Sequence, residues 1–157
     1  MSQHKGDVMS IRVLLADDHK LFREGLRSLI DEQPRMKVVA EAEDGRTALQ
    51  FAQSLSPDVV VMDISMPGMN GMEATRQIMC TAPGVKVLAL SMHNDIHFVA
   101  EMLKAGALGY LLKDCAFEEL IHAIYVVGGK GIYLSPKIAI PSDSQPTAPA
   151  DAPADME

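Results

Sequence analysis

Five short apolar runs punctuate this chain, at residues 11–16, 36–42, 58–62, 85–90 and 108–112. Each has the length of a strand and is too short for a helix. Ile-Arg-Val-Leu-Leu-Ala (11–16) and Val-Val-Val-Met (59–62) are nearly continuous in apolar residues, which predicts strands buried on both faces. The run at 36–42 is less apolar and ends in Glu41 and Glu43, as suits an edge strand. Between the runs the period changes to that of a helix, over 19–32, 45–55, 70–81, 95–105 and 116–128. In the first of these Leu21, Phe22, Gly25, Leu26, Leu29 and Ile30 follow helix-face spacing. In the last, Leu120, Ile121, Ile124 and Val127 do so, with Phe117 extending the face. Pro34, Pro57 and Pro83 stand just before strands and stop the preceding helices. The alternation predicts an α/β fold: a doubly wound, five-stranded parallel sheet with helices on both faces.

Composition narrows the class. The 157 residues suffice for one domain and are too few for two of ordinary size. No apolar run reaches the roughly 18 residues of a membrane span. The first residues carry no secretory h-region, so a cytoplasmic location is expected. Cys80 and Cys115 have neither metal-ligand spacing nor a disulfide framework, and both are expected to pack as small apolar residues. The formal charge is −7; four acids lie after Ile140 with no Lys or Arg, leaving −3 on residues 1–140. Such a body lacks the basic patch of a nucleic-acid binder. From Pro141 the chain is Pro/Ala-rich, acidic and without apolar period. The expected organisation is a disordered N-terminus at 1–9, a folded domain at 10–137, and a disordered tail or interdomain linker at 138–157.

The residues just past the strands carry the chemistry. Asp17 and Asp18 follow the first run, Asp63 the third, Ser91 the fourth and Lys113 the fifth. In an open parallel sheet ligands bind at the carboxyl ends of the strands, so three carboxylates, one hydroxyl and one ammonium converge on one edge. Taken singly, Asp17-Asp18 could cap the next helix, Asp63 could form the turn before Pro67-Gly68, and Tyr110 could be plain packing. At four strand ends together, they predict a site. Met66, Met69 and Met72 near the site predict a soft contact surface.

These motifs resemble the receiver domain of two-component response regulators, most nearly the NarL/FixJ (LuxR-type) subfamily. The likeness rests on Ile-Arg-Val-Leu-Leu-Ala-Asp-Asp-His (11–19), Met-Asp-Ile-Ser-Met-Pro-Gly-Met-Asn-Gly (62–71), Ala-Leu-Ser (89–91) and Gly-Ala-Leu-Gly-Tyr-Leu-Leu-Lys (106–113). It covers about residues 10–137. It implies a flavodoxin-like (βα)5 fold with strand order 2-1-3-4-5, the order that the chemotaxis regulator of this fold class exemplifies. It implies that Asp63 accepts a phosphoryl group from a sensor histidine kinase. Asp17, Asp18 and Asp63, with the Ser65 carbonyl, would hold Mg²⁺, Asp18 being the direct ligand of the first pair. Ser91 and Lys113 would contact the phosphoryl oxygens, Tyr110 would be the switch aromatic, and Ser65 and His93 would tune phosphate lifetime. Met66, Pro67, Gly68, Met69 and Gly71 would form a partner-recognition turn.

The product would be an acyl phosphate, formed without steady turnover, so no enzyme in the ordinary sense is expected. Two other classes fit less well. An aspartate-nucleophile phosphatase of the haloacid dehalogenase kind needs an acid-base Asp at the position of Ser65. A flavin carrier needs a hydroxyl-rich phosphate loop where Asp17-Asp18-His19 would repel the phosphate. Subfamily members typically control a C-terminal DNA-binding domain, which is missing here, and a homodimer on phosphorylation is a further implication. The alternative is a stand-alone receiver acting by protein contact or phosphorelay.

Overall fold

The computed structural model describes residues 10–138. The expected segment 1–9 and all of the expected tail except Ile138 lie outside the described residues. The elements run β1 (Ile11–Ala16), α1 (Lys20–Asp31), β2 (Met36–Ala42), α2 (Gly45–Leu55), β3 (Val59–Met62), α3 (Gly71–Thr81), β4 (Lys86–Ser91), α4 (Ile96–Ala105), β5 (Gly109–Leu112), α5 (Phe117–Gly128) and β6 (Tyr133–Leu134). The strands form one sheet in the order β2-β1-β3-β4-β5-β6. Every pairing is parallel.

Successive strand residues point to opposite faces, and here both faces are apolar. Val13, Leu15, Val59, Val61, Leu88, Leu90 and Leu111 pack on one side with Ile30 of α1 and Leu120, Ala123, Ile124 and Val127 of α5. Leu14, Ala16, Val60, Met62, Val87, Ala89, Tyr110 and Leu112 lie on the other, with Ala48 and Ala52 of α2, Ala74 and Ile78 of α3, and Val99 and Met102 of α4. This double burial is why the strands read as unbroken apolar runs. Each fully buried Val, Leu or Ile contributes about 1.5–3 kcal/mol by leaving water, and the two layers hold the sheet firmly beneath its carboxyl edge.

Four features depart from the pattern. β6 is new: two residues beside β5, with Gly109 paired to Tyr133. A two-residue strand has no period to read. Ile138, expected in the tail, is buried and joins the core. On α1 the buried stripe is Phe22, Leu26 and Ile30, at successive four-residue steps, together with Arg23. Leu21 and Leu29 fall off that stripe and are 83% and 40% exposed. Cys80, expected to pack, is exposed, while Cys115 is half-buried against the α1/α5 layer.

One glycine bears directly on the site. Gly71 opens α3 and its N–H donates to the Ile64 carbonyl at 2.8 Å. A Cβ there would stand 2.1 Å from the Asp63 carbonyl oxygen. Backbone cannot move aside as a flexible side chain can, so Gly71→Ala is expected to cost about 2–3 kcal/mol and to displace Asp63. Gly25, within α1, has nothing within 4 Å of its would-be Cβ, and Gly25→Ala is expected to stabilise by about 0.5–1 kcal/mol. Urea unfolding of the two variants gives both signs.

Candidate functional site

Ladder bonding continues just beyond the strands and aligns the residues that follow them. Asp17 N–H donates to Ala42 O and Asp63 N–H to Ala16 O, both at 2.9 Å; Lys113 N–H donates to Ser91 O at 2.8 Å. The sheet therefore delivers Asp17, Asp63, Ser91 and Lys113 to one edge. Asp17 and Asp63 are each only 4% exposed. Lys113 Nζ lies 2.8 Å from Asp17 Oδ2 and 3.4 Å from Asp63 Oδ2. Its ammonium lies over the Phe22 ring, with Nζ 4.9 Å from the centroid. Asp18 is the more exposed of the first acid pair. Asp17 and Asp18 do not form an ordinary helix cap: α1 has His19 at its N-cap position with no side-chain cap. Asp17 Oδ1 instead accepts from His19 N–H at 2.8 Å.

The electrostatics single out Asp63. Burial and then the neighbouring Asp17 carboxylate push its pKa above the usual carboxylate range; Lys113 and the Ser65 N–H pull the other way without cancelling this. Asp63 Oδ2 is buried and makes no hydrogen bond; the Lys113 ammonium, closer to Asp17, stands 3.4 Å away as its ion-pair partner. A buried carboxylate oxygen left this way costs free energy and marks a place for a cation. Asp17, Asp18, His19 and Asp63 each offer a ligand atom, all within 4.8 Å of one another. Three carboxylates, one with a buried oxygen that makes no hydrogen bond, suit a hard divalent cation such as Mg²⁺.

Ser91 is fully buried, and its Oγ accepts from His93 N–H at 3.0 Å. Ser91 and Lys113 line one recess with Met92, Asn94, Leu112 and Asp114. Tyr110 is fully buried, and its hydroxyl donates to the His93 carbonyl at 2.7 Å. The ring already faces inward, beside the element that Ser91 anchors, and this burial pushes the Tyr110 hydroxyl pKa up.

Comparison with known proteins agrees with this geometry. The family model of the response regulator receiver domain matches residues 13–125. The chain belongs to the response regulator receiver family. It is 46% identical over 128 residues to the transcriptional regulatory protein DegU of Brevibacillus brevis, covering 82% of this chain and 54% of that protein. A LuxR-family response regulator from Aurantimonas sp. SI85-9A1 superposes with a TM-score of 0.79 at 39% identity, covering 82% of this chain and 92% of that one. The receiver domain of the putative response regulator NarL from Mycobacterium tuberculosis gives 0.74 at 35%, covering 76% and 97%. This chain spans a little over half the length of the DegU relative. As a receiver it is a phosphoryl acceptor and not a turnover enzyme, and its two-component family implies a histidine kinase partner. Among the described residues no helix is long and apolar enough to cross a membrane.

Ser65 Oγ lies 3.3 Å from His93 Nε2, and the His93 ring stacks on Phe98 with centroids 4.4 Å apart. Ser65 N–H approaches Asp63 Oδ1 at 3.4 Å. The turn after Asp63 divides: Pro67 and Gly68 are exposed and Met69 is half-buried, whereas Met66 is 7% exposed within the core and Gly71 is buried. Met66 and Gly71 therefore pack the turn and offer no contact surface, contrary to the expectation from their neighbours in sequence.

Two residues that the sequence pattern did not single out complete the receiver's edge. Arg23, on the buried stripe of α1, sends Nη1 to the Asp17 carbonyl at 2.6 Å and Nε to Glu41 Oε1 at 2.7 Å. It ties the β1 turn to β2. Arg27 also bonds Glu41, and Arg27 followed by Arg23 holds that carboxyl below its usual range. The signal was an Arg inside an apolar stripe, visible only once the stripe is placed. His19 is the other: its Nδ1 lies 3.0 Å from Asp17 Oδ1 and 3.4 Å from Asp18 Oδ1. Its adjacency to the acid pair was the available clue.

Proposed function

We propose that this receiver takes a phosphoryl group from a sensor histidine kinase onto Asp63 and thereby controls a transcriptional output, in keeping with its likeness to the transcriptional regulatory protein DegU. The observation that carries the reading is the buried Asp63 oxygen, without a hydrogen bond and ion-paired to Lys113, within a carboxylate cluster. Asp63 attacks phosphorus, the bond from phosphorus to the donor's imidazole nitrogen breaks, and the imidazole keeps the electron pair. Asp17, Asp18 and Asp63, with the Ser65 carbonyl, would hold Mg²⁺, which supplies charge neutralisation between nucleophile and phosphoryl donor. Lys113, released from Asp63, contacts one phosphoryl oxygen, and Ser91 donates its hydroxyl to another.

The readout runs through the β4–α4 turn. Ser91 Oγ now accepts from His93 N–H, and Tyr110 donates to His93 O. A phosphoryl group that recruits the Ser91 hydroxyl draws on the same turn that holds Tyr110 inward. The inward ring is already built, so phosphorylation acts as a population shift in favour of it. The exposed Pro67-Gly68 turn and the recess lined by His19, Phe22, Met92, Lys113 and Asp114 form the approach for the kinase. A phosphorylation-linked homodimer and a cytoplasmic location belong to the same reading.

Intact-mass measurement after incubation with acetyl phosphate and Mg²⁺ tests it. A labile phosphoryl adduct is expected. No adduct, or steady hydrolysis of assorted phosphate esters, overturns it. Ser65 and His93 meet beside Asp63, so Ser65→Asn and His93→Glu are expected to change adduct half-life by about tenfold, less than the roughly 10²–10⁴-fold of a group that itself transfers the proton. Unchanged decay in both variants removes them from the tuning role.

A further inference from the structure

Nδ1 of His19 sits among partners it cannot satisfy together. It lies 3.0 Å from Asp17 Oδ1, 3.4 Å from Asp18 Oδ1 and 3.2 Å from Lys113 Nζ. A protonated Nδ1 donates to a carboxylate and cannot accept from the ammonium; an unprotonated one accepts from Lys113 and faces the carboxylate as lone pair against lone pair. The same space is bordered by Asp63, whose Oδ2 is buried without a hydrogen bond in a residue only 4% exposed. A divalent cation between these groups resolves both defects, taking the imidazole lone pair and the carboxylate oxygens together. The ligand atoms of Asp17, Asp18, His19 and Asp63 lie within 4.8 Å of one another. Opposite ligands of a small divalent ion stand about 4.2 Å apart, so only a slight contraction is needed.

We infer that His19 is a fourth ligand of the cation site, converting an all-oxygen Mg²⁺ site into a mixed nitrogen–oxygen site that also takes imidazole-preferring divalent metals such as Zn²⁺. The inference rests on the cation site proposed above and adds a ligand to it. Imidazole suits Zn²⁺, whereas Mg²⁺ favours oxygen donors and dehydrates reluctantly. His19 therefore matters for Zn²⁺ far more than for Mg²⁺. With the imidazole ring largely exposed (63%), it can reach the ion without repacking the core. The phosphoryl acceptor's own cation site is thus open to competition between two classes of metal.

Calorimetric titration of the full chain with Zn²⁺ and, separately, Mg²⁺ tests this in the wild type, His19→Asn, His19→Gln and Asp63→Asn. The His19 variants are expected to lose at least about tenfold in Zn²⁺ affinity, since residues that merely orient a ligand are already worth about 10–100-fold. Their loss for Mg²⁺ is expected to be much smaller. Nitrogen NMR of the wild type is expected to show the His19 Nδ1 resonance move on Zn²⁺ addition. Unchanged Zn²⁺ affinity in both His19 variants, with an unmoved Nδ1 resonance, overturns the fourth ligand and leaves the oxygen site standing. Mg²⁺ binding that is absent in the wild type, or undiminished in Asp63→Asn, overturns the cation site itself and this inference with it.

Discussion

Asp63→Asn is expected to abolish the phosphoryl adduct completely and, in metal-free buffer, to make the protein more stable than the wild type. The loss follows because an amide is no nucleophile towards phosphorus. The gain follows from the cost of the native carboxylate: burial and Asp17 hold its pKa above the usual range, and Oδ2 lacks a hydrogen bond. Replacing it with a neutral near-isostere relieves about 1–3 kcal/mol, the usual cost of a buried unsatisfied polar group. The pH dependence has a definite sign. A carboxyl whose folded pKa is raised is better tolerated protonated, so its stability is fully present below the unfolded pKa and is lost as pH rises through the folded value. The variant's advantage therefore opens as pH climbs out of the acid range and persists at neutrality. Saturating Mg²⁺ closes it, because a ligand at about 100 times its dissociation constant adds about 2.7 kcal/mol to the state that binds it. Thermal unfolding against pH, with and without Mg²⁺, checks each part. A variant no more stable than the wild type at neutral pH without metal would show that the Asp63 carboxylate is not strained by its surroundings.

Lys113→Met is expected to act in the opposite direction on stability and to strengthen cation binding. Lys113 Nζ is the one positive group within 4 Å of both Asp17 and Asp63 among the described residues, and its side chain is only 7% exposed. Methionine keeps an unbranched apolar stem and removes the charge. Breaking a buried ion pair from one side leaves an uncompensated charge and costs about 3–5 kcal/mol. The midpoint of urea unfolding should fall accordingly in metal-free buffer. The same uncompensated carboxylates attract a cation more strongly, so Mg²⁺ affinity is expected to rise and to recover part of the lost stability. A variant with lowered stability and unchanged Mg²⁺ affinity would place the Lys113 effect in packing instead of charge. The two substitutions are neighbours and are expected to be non-additive: in Asp63→Asn the charge that Lys113 offsets is already smaller.

The strands were readable because both of their faces are buried, so their apolar content survives any error in register. Elements α2 to α5 were readable for a related reason, an apolar face that recurs with helical period; that Asp44, Asn70 and Asp95 cap three of the starts is a finding of the structure. α1 was read less well. Its sequence offers more apolar residues than its contact face can take, and the sequence cannot say that Leu21 and Leu29 lie outside it while Arg23 lies within. β6 escaped because pairing with β5, and no local preference, makes those two residues a strand.

The sequence by itself determined the alternation of buried strands and amphipathic helices, and that Asp17, Asp18, Asp63, Ser91 and Lys113 follow strand ends, since these are properties of period and position along one chain. Only the tertiary structure decided the distances at which those groups meet. It set Lys113 between Asp17 and Asp63, nearer Asp17, and left Asp63 Oδ2 without a hydrogen bond. It set Arg23 against the Asp17 carbonyl and brought His19 into the carboxylate cluster. The reason is physical: parallel pairing fixes which strand ends are neighbours, and burial at that shared edge turns ordinary polar residues into groups that must find a partner or a cation.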